Sequence, residues 1–526
     1  MSELLLYYKR PDPTTWVYMS SFLTIGLYFV FHRFWSIRNL DIALLILLAP
    51  GLLMVQAGRR REMQAWDSKA IAAKQSLEES GLGKKHLLAV AYEDQKNDGD
   101  APRPEPTMLA FAIQQAELDA APAPDKATAG NWSDTNPTDQ SLGSDVAPGI
   151  NPAFAKENSP YTIQYYGFVL LFLVQFLILI RLLLDSMMNR RPLLHPNLTS
   201  GGLYFISISL FVFLMGNVVT STPRMRVMQG PELGPGYALM HQLPRITTRP
   251  VRQALAGVEP ITREELDPSQ RQWTMIAKIL AISAHLAIVC GIVLIGGRHF
   301  GNIRAGVGAA TLYLLLPYTA HMTGRVDHAL PAALLLWALL SYRKPLIAGV
   351  FFGLAGGLVY FPLFLLPLWI SFYWRRGVRR FVLGVGTTLL VLAMLLSFGG
   401  TEVLGGSLAK MFGLMTPTME PDGIWRLGWS PYYRIPVFVG FIILSVFFGV
   451  WPSPKNLGSL ISCSAALMVA AQFCHGYGGG LFIAWFLPLL LLTIFRPNLQ
   501  DRIAQKVVEA RGAQQTPRVR AEVTSS

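Results

Sequence analysis

The sequence predicts an all-α polytopic membrane protein, on three observations. Of its 526 residues, 52% are hydrophobic and 15% charged, with a mean hydropathy of +0.37, whereas soluble domains carry about 25% charge. Apolar runs of spanning length, roughly 17 to 25 residues, recur along most of the chain. Short basic clusters close many of those runs, as cytoplasmic loops do.

The first two runs, 14–32 and 40–57, read as an N-terminal transmembrane hairpin, residues 1–57. The opening "MSELLLYYKRPDPTTW" precedes the first run and no small-residue cleavage site follows it, so an uncleaved helix is expected. Residues 58–160 then interrupt the array. They start with a helical-looking "GRRREMQAWDSKAIAAKQ" and pass into a stretch rich in Pro, Ala and Asp. From Glu62 to Glu157 there are 16 acidic and 8 basic residues, a local charge of −8, so the remainder carries +21 to give the net +13. With few large apolar residues, this acidic insertion buries little core and is expected to be largely disordered.

The membrane domain proper, 161–495, contains runs at 162–184, 202–220, 273–296, 304–323, 329–342, 379–399, 432–451, 457–473 and 479–495. The longer run 345–374 contains Pro362 and Pro367 after "GLAGGL" and is expected to break into two helices. The total is about 11–13 transmembrane helices. A basic C-terminal tail, 496–526, follows. The positive charge sits at helix ends, so it calls for no nucleic-acid partner. Cys290, Cys463 and Cys474 match neither a zinc nor a disulfide spacing.

Basic turns "YRKP" at 342–345 and "WRRGVRR" at 374–380, with the segment from Arg496, are expected inside. Loops 221–272 and 400–431, the start of the 329–342 helix and "CHGYGGG" at 474–480 then lie outside. Alternation puts 58–160 outside as well. Arg59, Arg60 and Arg61 argue for inside, but long loops translocate largely regardless of charge.

Three polar clusters meet on that outer side. "AHMTGRVDH" brings His321, Arg325, Asp327 and His328 to the start of a helix. An acid at a helix N-terminus and Pro331 in the first turn have a purely structural explanation. The histidines and Arg325 do not, and ionisable groups at membrane depth are functional by default. Loop 221–272 carries Glu232, His241, Arg245 and Arg249, where arginines suit a phosphate or, more simply, anionic lipid. In 400–436, Trp425, Trp429, Tyr432 and Tyr433 fit an interfacial aromatic belt, or a sugar platform beside Arg426 and Arg434. His475 belongs to the same face.

Over residues 312–380, "GRVDH", the turn "YRKP", "AGVFFGLAGGL", the proline-broken "YFPLFLLPLW" and "WRRGVRR" together resemble polyprenyl-phosphate-dependent glycosyltransferases of the GT-C superfamily, in their bacterial mannosyltransferase-like branch. The likeness covers about 70 of the 526 residues. It implies a GT-C-like bundle with its site on the outer face, a polyprenyl-phosphate-linked sugar as donor, and an acid in an early outer loop as base. Glu232 holds that place and Asp327 is second. Arg325 and the loop arginines would meet the phosphate, as the departing charge requires. The chain departs from the pattern in having no Asp between the preceding helix and Glu232, and in carrying Tyr360 where relatives often have a Lys.

The expected function is transfer of a sugar to a lipid or cell-envelope glycan at a bacterial inner membrane. No metal or other cofactor is assigned, and a divalent ion is left open. The alternatives are a non-catalytic scaffold using 58–160 to hold a protein partner, and a transporter or flippase. A transporter would show matching broken helices in two halves, and only one break, near 360, is visible.

Overall fold

The structure, a computed structural model, describes residues 13–80, 160–185, 194–220, 223–224, 245–246, 268–374, 377–397, 423–425, 427, 429, 431–453, 455–476 and 478–497. At 13, 63–80, 160, 220, 223–224, 245–246, 268–274, 396–397 and 431 the description is of the backbone. The described residues form a bundle of helices, and among them six are long and apolar enough to cross a membrane: within Ile37–Glu62, Tyr161–Asp185, Ser200–Val219, Met275–Arg298, Val378–Leu395 and Leu457–Cys474. The chain is a multi-pass membrane protein.

Fourteen α-helices are described in chain order. They are α1 (Pro13–Tyr28), α2 (Ile37–Ser80), α3 (Pro160–Asp185), α4 (Ser200–Thr220), α5 (Pro268–Arg298), α6 (Ile303–Leu315) and α7 (Pro317–Met322), then α8 (Val326–Leu340), α9 (Pro345–Leu358), α10 (Leu366–Tyr373), α11 (Val378–Ser397), α12 (Arg434–Val450), α13 (Leu457–Cys474) and α14 (Leu487–Phe495). The strand content described is one antiparallel two-residue pair, β1 (Pro223–Arg224) with β2 (Arg245–Ile246).

Several expected segments are re-cut, each for a local reason. The 40–57 run and the helical start of the insertion are one helix, α2, with no break at 57–58. The 304–323 run is two helices, because Leu316 takes an extended backbone (φ −59°, ψ 136°) immediately before Pro317. The 345–374 run does break: Val359 is extended, a 3-10 turn covers Phe361–Leu365, and α10 follows. The 479–495 run is helical only from Leu487, after an irregular stretch and a 3-10 turn at Ile483–Trp485. The backbone of 268–272, assigned to a loop, already belongs to α5.

Burial orders the helices. In α13, 89% of the spanning window is buried, and small residues such as Ser462, Ala465, Ala466 and Ala470 let neighbours approach closely. In α4 and α11 only 22% and 17% are buried, so these helices present their apolar faces to lipid. A capping box of Asn456 and Ser459 starts α13, with Ser459 N donating to Asn456 Oδ1 at 2.8 Å.

Contacts between helix ends separate two ends of the bundle. At one, Arg181 and Asp185 of α3 meet Asp41 of α2 and Arg496 after α14. At the other, Gln164 of α3 donates to Glu62 of α2 at 2.7 Å, and Trp429 reaches Tyr165. Both edges of the insertion therefore emerge at the end that carries residues 423–433.

Candidate functional site

Helix length sets the depth of the site. At 1.5 Å per residue, α8 (15 residues), α9 (14) and α14 (9) reach about 22, 21 and 14 Å, against a hydrocarbon core of roughly 30 Å. The neighbouring α5, with 31 residues, runs for about 46 Å. His285, midway along α5, hydrogen-bonds to Tyr313 Oη at 2.8 Å through Nδ1, and its Nε2 donates to Thr323 O at 3.1 Å. The connection from α7 to α8 is thereby tied halfway up the long helix. The start of α8 is recessed below the top of α5.

On that recessed floor Arg325 caps α8 and Asp327 occupies its first turn. Their side chains form a bidentate pair, Nε to Oδ1 at 2.8 Å and Nη2 to Oδ2 at 2.6 Å, partly open at 24% and 15% exposure. His328 is buried; its Nε2 lies 3.8 Å from Asp327 Oδ2, and its Nδ1 shares a 2.5 Å hydrogen bond with Tyr318 Oη. The neighbouring carboxylate favours the proton on Nε2, which leaves Nδ1 to accept from the tyrosine. His321 lies half-buried at the end of α7.

Pro331 is not in the first turn of α8 but inside the helix. It lacks the N–H that would bond to the carbonyl four residues earlier, which is that of Asp327. Trp485 supplies the missing donor: its Nε1–H reaches Asp327 O at 3.2 Å. Trp485→Phe is expected to destabilise the fold by about 1–3 kcal/mol, the cost of a buried carbonyl left unsatisfied. Thermal unfolding in detergent measures it, and the Arg325–Asp327 geometry should loosen in parallel.

From α8 a run of ring contacts crosses to the far side of the site. His328 packs on Phe482, Phe482 on His475, and His475 on Phe361, with centroids 4.5, 4.5 and 5.3 Å apart. Tyr360 stacks on Phe361 at 4.3 Å and is within electrostatic reach of Arg434. Arg434 Nε donates to Cys474 O at 2.7 Å, and its guanidinium covers Gly476, where a Cβ would stand 2.6 Å from Nη1. Six sequence-predicted residues, Arg325, Asp327, His328, Tyr360, Arg434 and His475, thus belong to one connected cluster.

The expected surface loop at 474–480 is instead packed inside: His475, Gly476 and Gly478 to Gly480 are buried. Gly480 has φ +91° and its carbonyl accepts from Gln175 at 2.7 Å; a Cβ on Gly479 would lie 2.5 Å from Gln472 O. Irregular backbone at membrane depth requires burial in protein or a cavity wall, and this stretch is held from both sides. Of the proposed aromatic belt, Trp429, Tyr432 and Tyr433 are exposed, while Trp425 is buried.

Glu232, His241, Arg249 and Arg426 lie outside the described residues, and Arg245 is described only by its backbone, paired with Arg224. Among the described residues no three His, Cys, Asp or Glu side chains gather as a metal site requires. No protein family, curated protein or solved structure matches the chain.

One ionic cluster went unread in the sequence. Asp41 accepts both Arg181 Nε and Nη2, at 2.8 and 3.0 Å, and Asp185 accepts Arg181 Nη1 at 3.3 Å and Arg496 Nη2 at 2.6 Å. All four side chains are at most 11% exposed. Asp41 and Arg181 stand inside apolar runs, the signal that would have found them.

Proposed function

We propose that this chain is a membrane glycosyltransferase of GT-C-like architecture with 11 to 13 membrane segments. It takes a sugar from a polyprenyl-phosphate donor and passes it to a lipid or envelope glycan on the outer face of a bacterial inner membrane. The recessed polar floor carries this reading. Arg325 and His328 lie below the top of the long apolar helix α5 and connect through ring contacts to His475 beside Arg434, so that a lipid-borne phosphate could be met without leaving the bilayer.

We give the two carboxylates different parts. A bidentate guanidinium engages both carboxylate oxygens of Asp327, so its part is to fix Arg325 and orient His328. The base role goes to Glu232 on the strength of the family resemblance alone. Arg434, anchored through Nε, is the cation we assign to the donor phosphate. Binding of a polyprenyl-phosphate sugar to purified protein tests this. Arg434→Gln should weaken binding at least about tenfold, the loss of one charge-assisted contact. Unchanged binding would remove Arg434 from the site.

A scaffold is the second reading, favoured by one observation. The insertion leaves and re-enters at the site's own end, through Glu62 and Gln164, where a held partner would cover the floor.

A further inference from the structure

The opposite end of the bundle carries a second surface, independent of the reading above. The turn between α1 and α2 is built around Asn39, which is 2% exposed. Its Oδ1 accepts from Val30 N at 3.0 Å, and its Nδ2 donates to the carbonyls of Val30, Arg33 and Phe34 at 2.8, 3.0 and 3.1 Å. Arg38 adds bonds to Tyr28 O and, at 2.7 Å, to His195 O. This network forces three large rings outward: Phe31 is 70%, Phe34 60% and Trp35 95% exposed. A turn so fully bonded inside, with its rings outside, is held in position to meet something apolar.

The surface around the rings is positive. Arg33 is exposed in the same turn. Asn197 joins the turn to the segment before α4, with its N donating to Leu27 O at 2.7 Å and its Nδ2 to Phe29 O at 3.0 Å. Arg304, exposed at the start of α6, donates to Leu198 O at 2.7 Å on the other side of that segment. The stretches 29–40, 194–199 and 298–304 contain Arg33, Arg38, Arg298 and Arg304 and no Asp or Glu.

The geometry points to a binding surface for the headgroups of anionic phospholipids, in which Phe31, Phe34 and Trp35 enter the interface while Arg33 and Arg304 hold the phosphate. Aromatic rings at the edge of a spanning helix belong at headgroup depth, and each surface arginine attracts anionic lipid. Position selects the lipid over an acidic protein here, because rings at the end of membrane helices already lie in the interface.

The test uses the purified full chain, delipidated and supplied with phosphatidylglycerol or phosphatidylcholine of equal acyl chains, with retained lipid counted by native mass spectrometry. Native protein retains phosphatidylglycerol preferentially, and each of Arg33→Gln and Arg304→Gln reduces that preference about fivefold. Trp35→Ala lowers both lipids alike. Equal retention of the two lipids by native protein would overturn the proposal. So would an undiminished preference in the Arg33→Gln, Arg304→Gln double variant whose helix content and monodispersity match native.

Discussion

Asp185→Asn is expected to cost the fold about 3–5 kcal/mol, because it leaves buried arginine charge without its compensating carboxylate. Asp185 is fully buried and is shared by Arg181, on its own helix, and by Arg496, which follows α14. Removing its charge strands Arg496 and weakens the closure of α14 against α3. The paired replacement Asp185→Leu with Arg496→Met removes both charges at once. It should recover most of the loss, since well-packed apolar residues often replace a buried ion pair at little cost. Heat-induced unfolding in detergent for the single and paired variants gives the comparison. A single variant as stable as native would show that the pair carries no net charge compensation.

The second large effect concerns the seam between α9 and α11. Gly349, Gly353 and Gly357 recur every four residues along α9, and Gly384 answers from α11. A Cβ at Gly349 would stand 2.3 Å from Phe381 O, and one at Gly384 2.4 Å from Leu346 O. Both obstacles are backbone atoms, which cannot step aside as a side chain can. Gly349→Leu should push the helices apart at a cost of about 1–3 kcal/mol or more. Gly386→Ala on α11, with nothing within 4 Å of its Cβ, is the matched control and should be neutral or slightly stabilising. Equal behaviour of the two variants would mean the seam is not closely packed in the folded protein.

That seam also marks what the sequence could and could not tell. "AGVFFGLAGGL" was legible as a glycine-rich helix before a proline break, and the break is there, but the glycines serve close packing against α11. Membrane character and most helices were legible because each spanning run declares itself by hydropathy alone. The register of tertiary contact was not. Nothing local says that Trp485, 158 residues on, would fill the gap that Pro331 leaves at Asp327 O. Arg325, Asp327 and His328 drew attention as charges at a helix start, and they do share one floor with Tyr360, Arg434 and His475. Their pairing with each other, rather than with open space, depends on side-chain geometry that spacing does not encode. The Asp41–Arg181–Asp185–Arg496 cluster was missed because its members come from three distant helix ends. It could have been suspected from Asp41 and Arg181 inside apolar runs.

The most direct test of the proposed function is sugar transfer itself. Membranes containing native protein, Glu232→Gln or Asp327→Asn would be supplied with a panel of radiolabelled polyprenyl-phosphate sugars, with folded protein quantified in each. The account predicts transfer by native protein, its loss in Glu232→Gln, and a partial reduction in Asp327→Asn as Arg325 is released. Transfer undiminished in both variants, or absent from native protein with every donor in the panel, would contradict it.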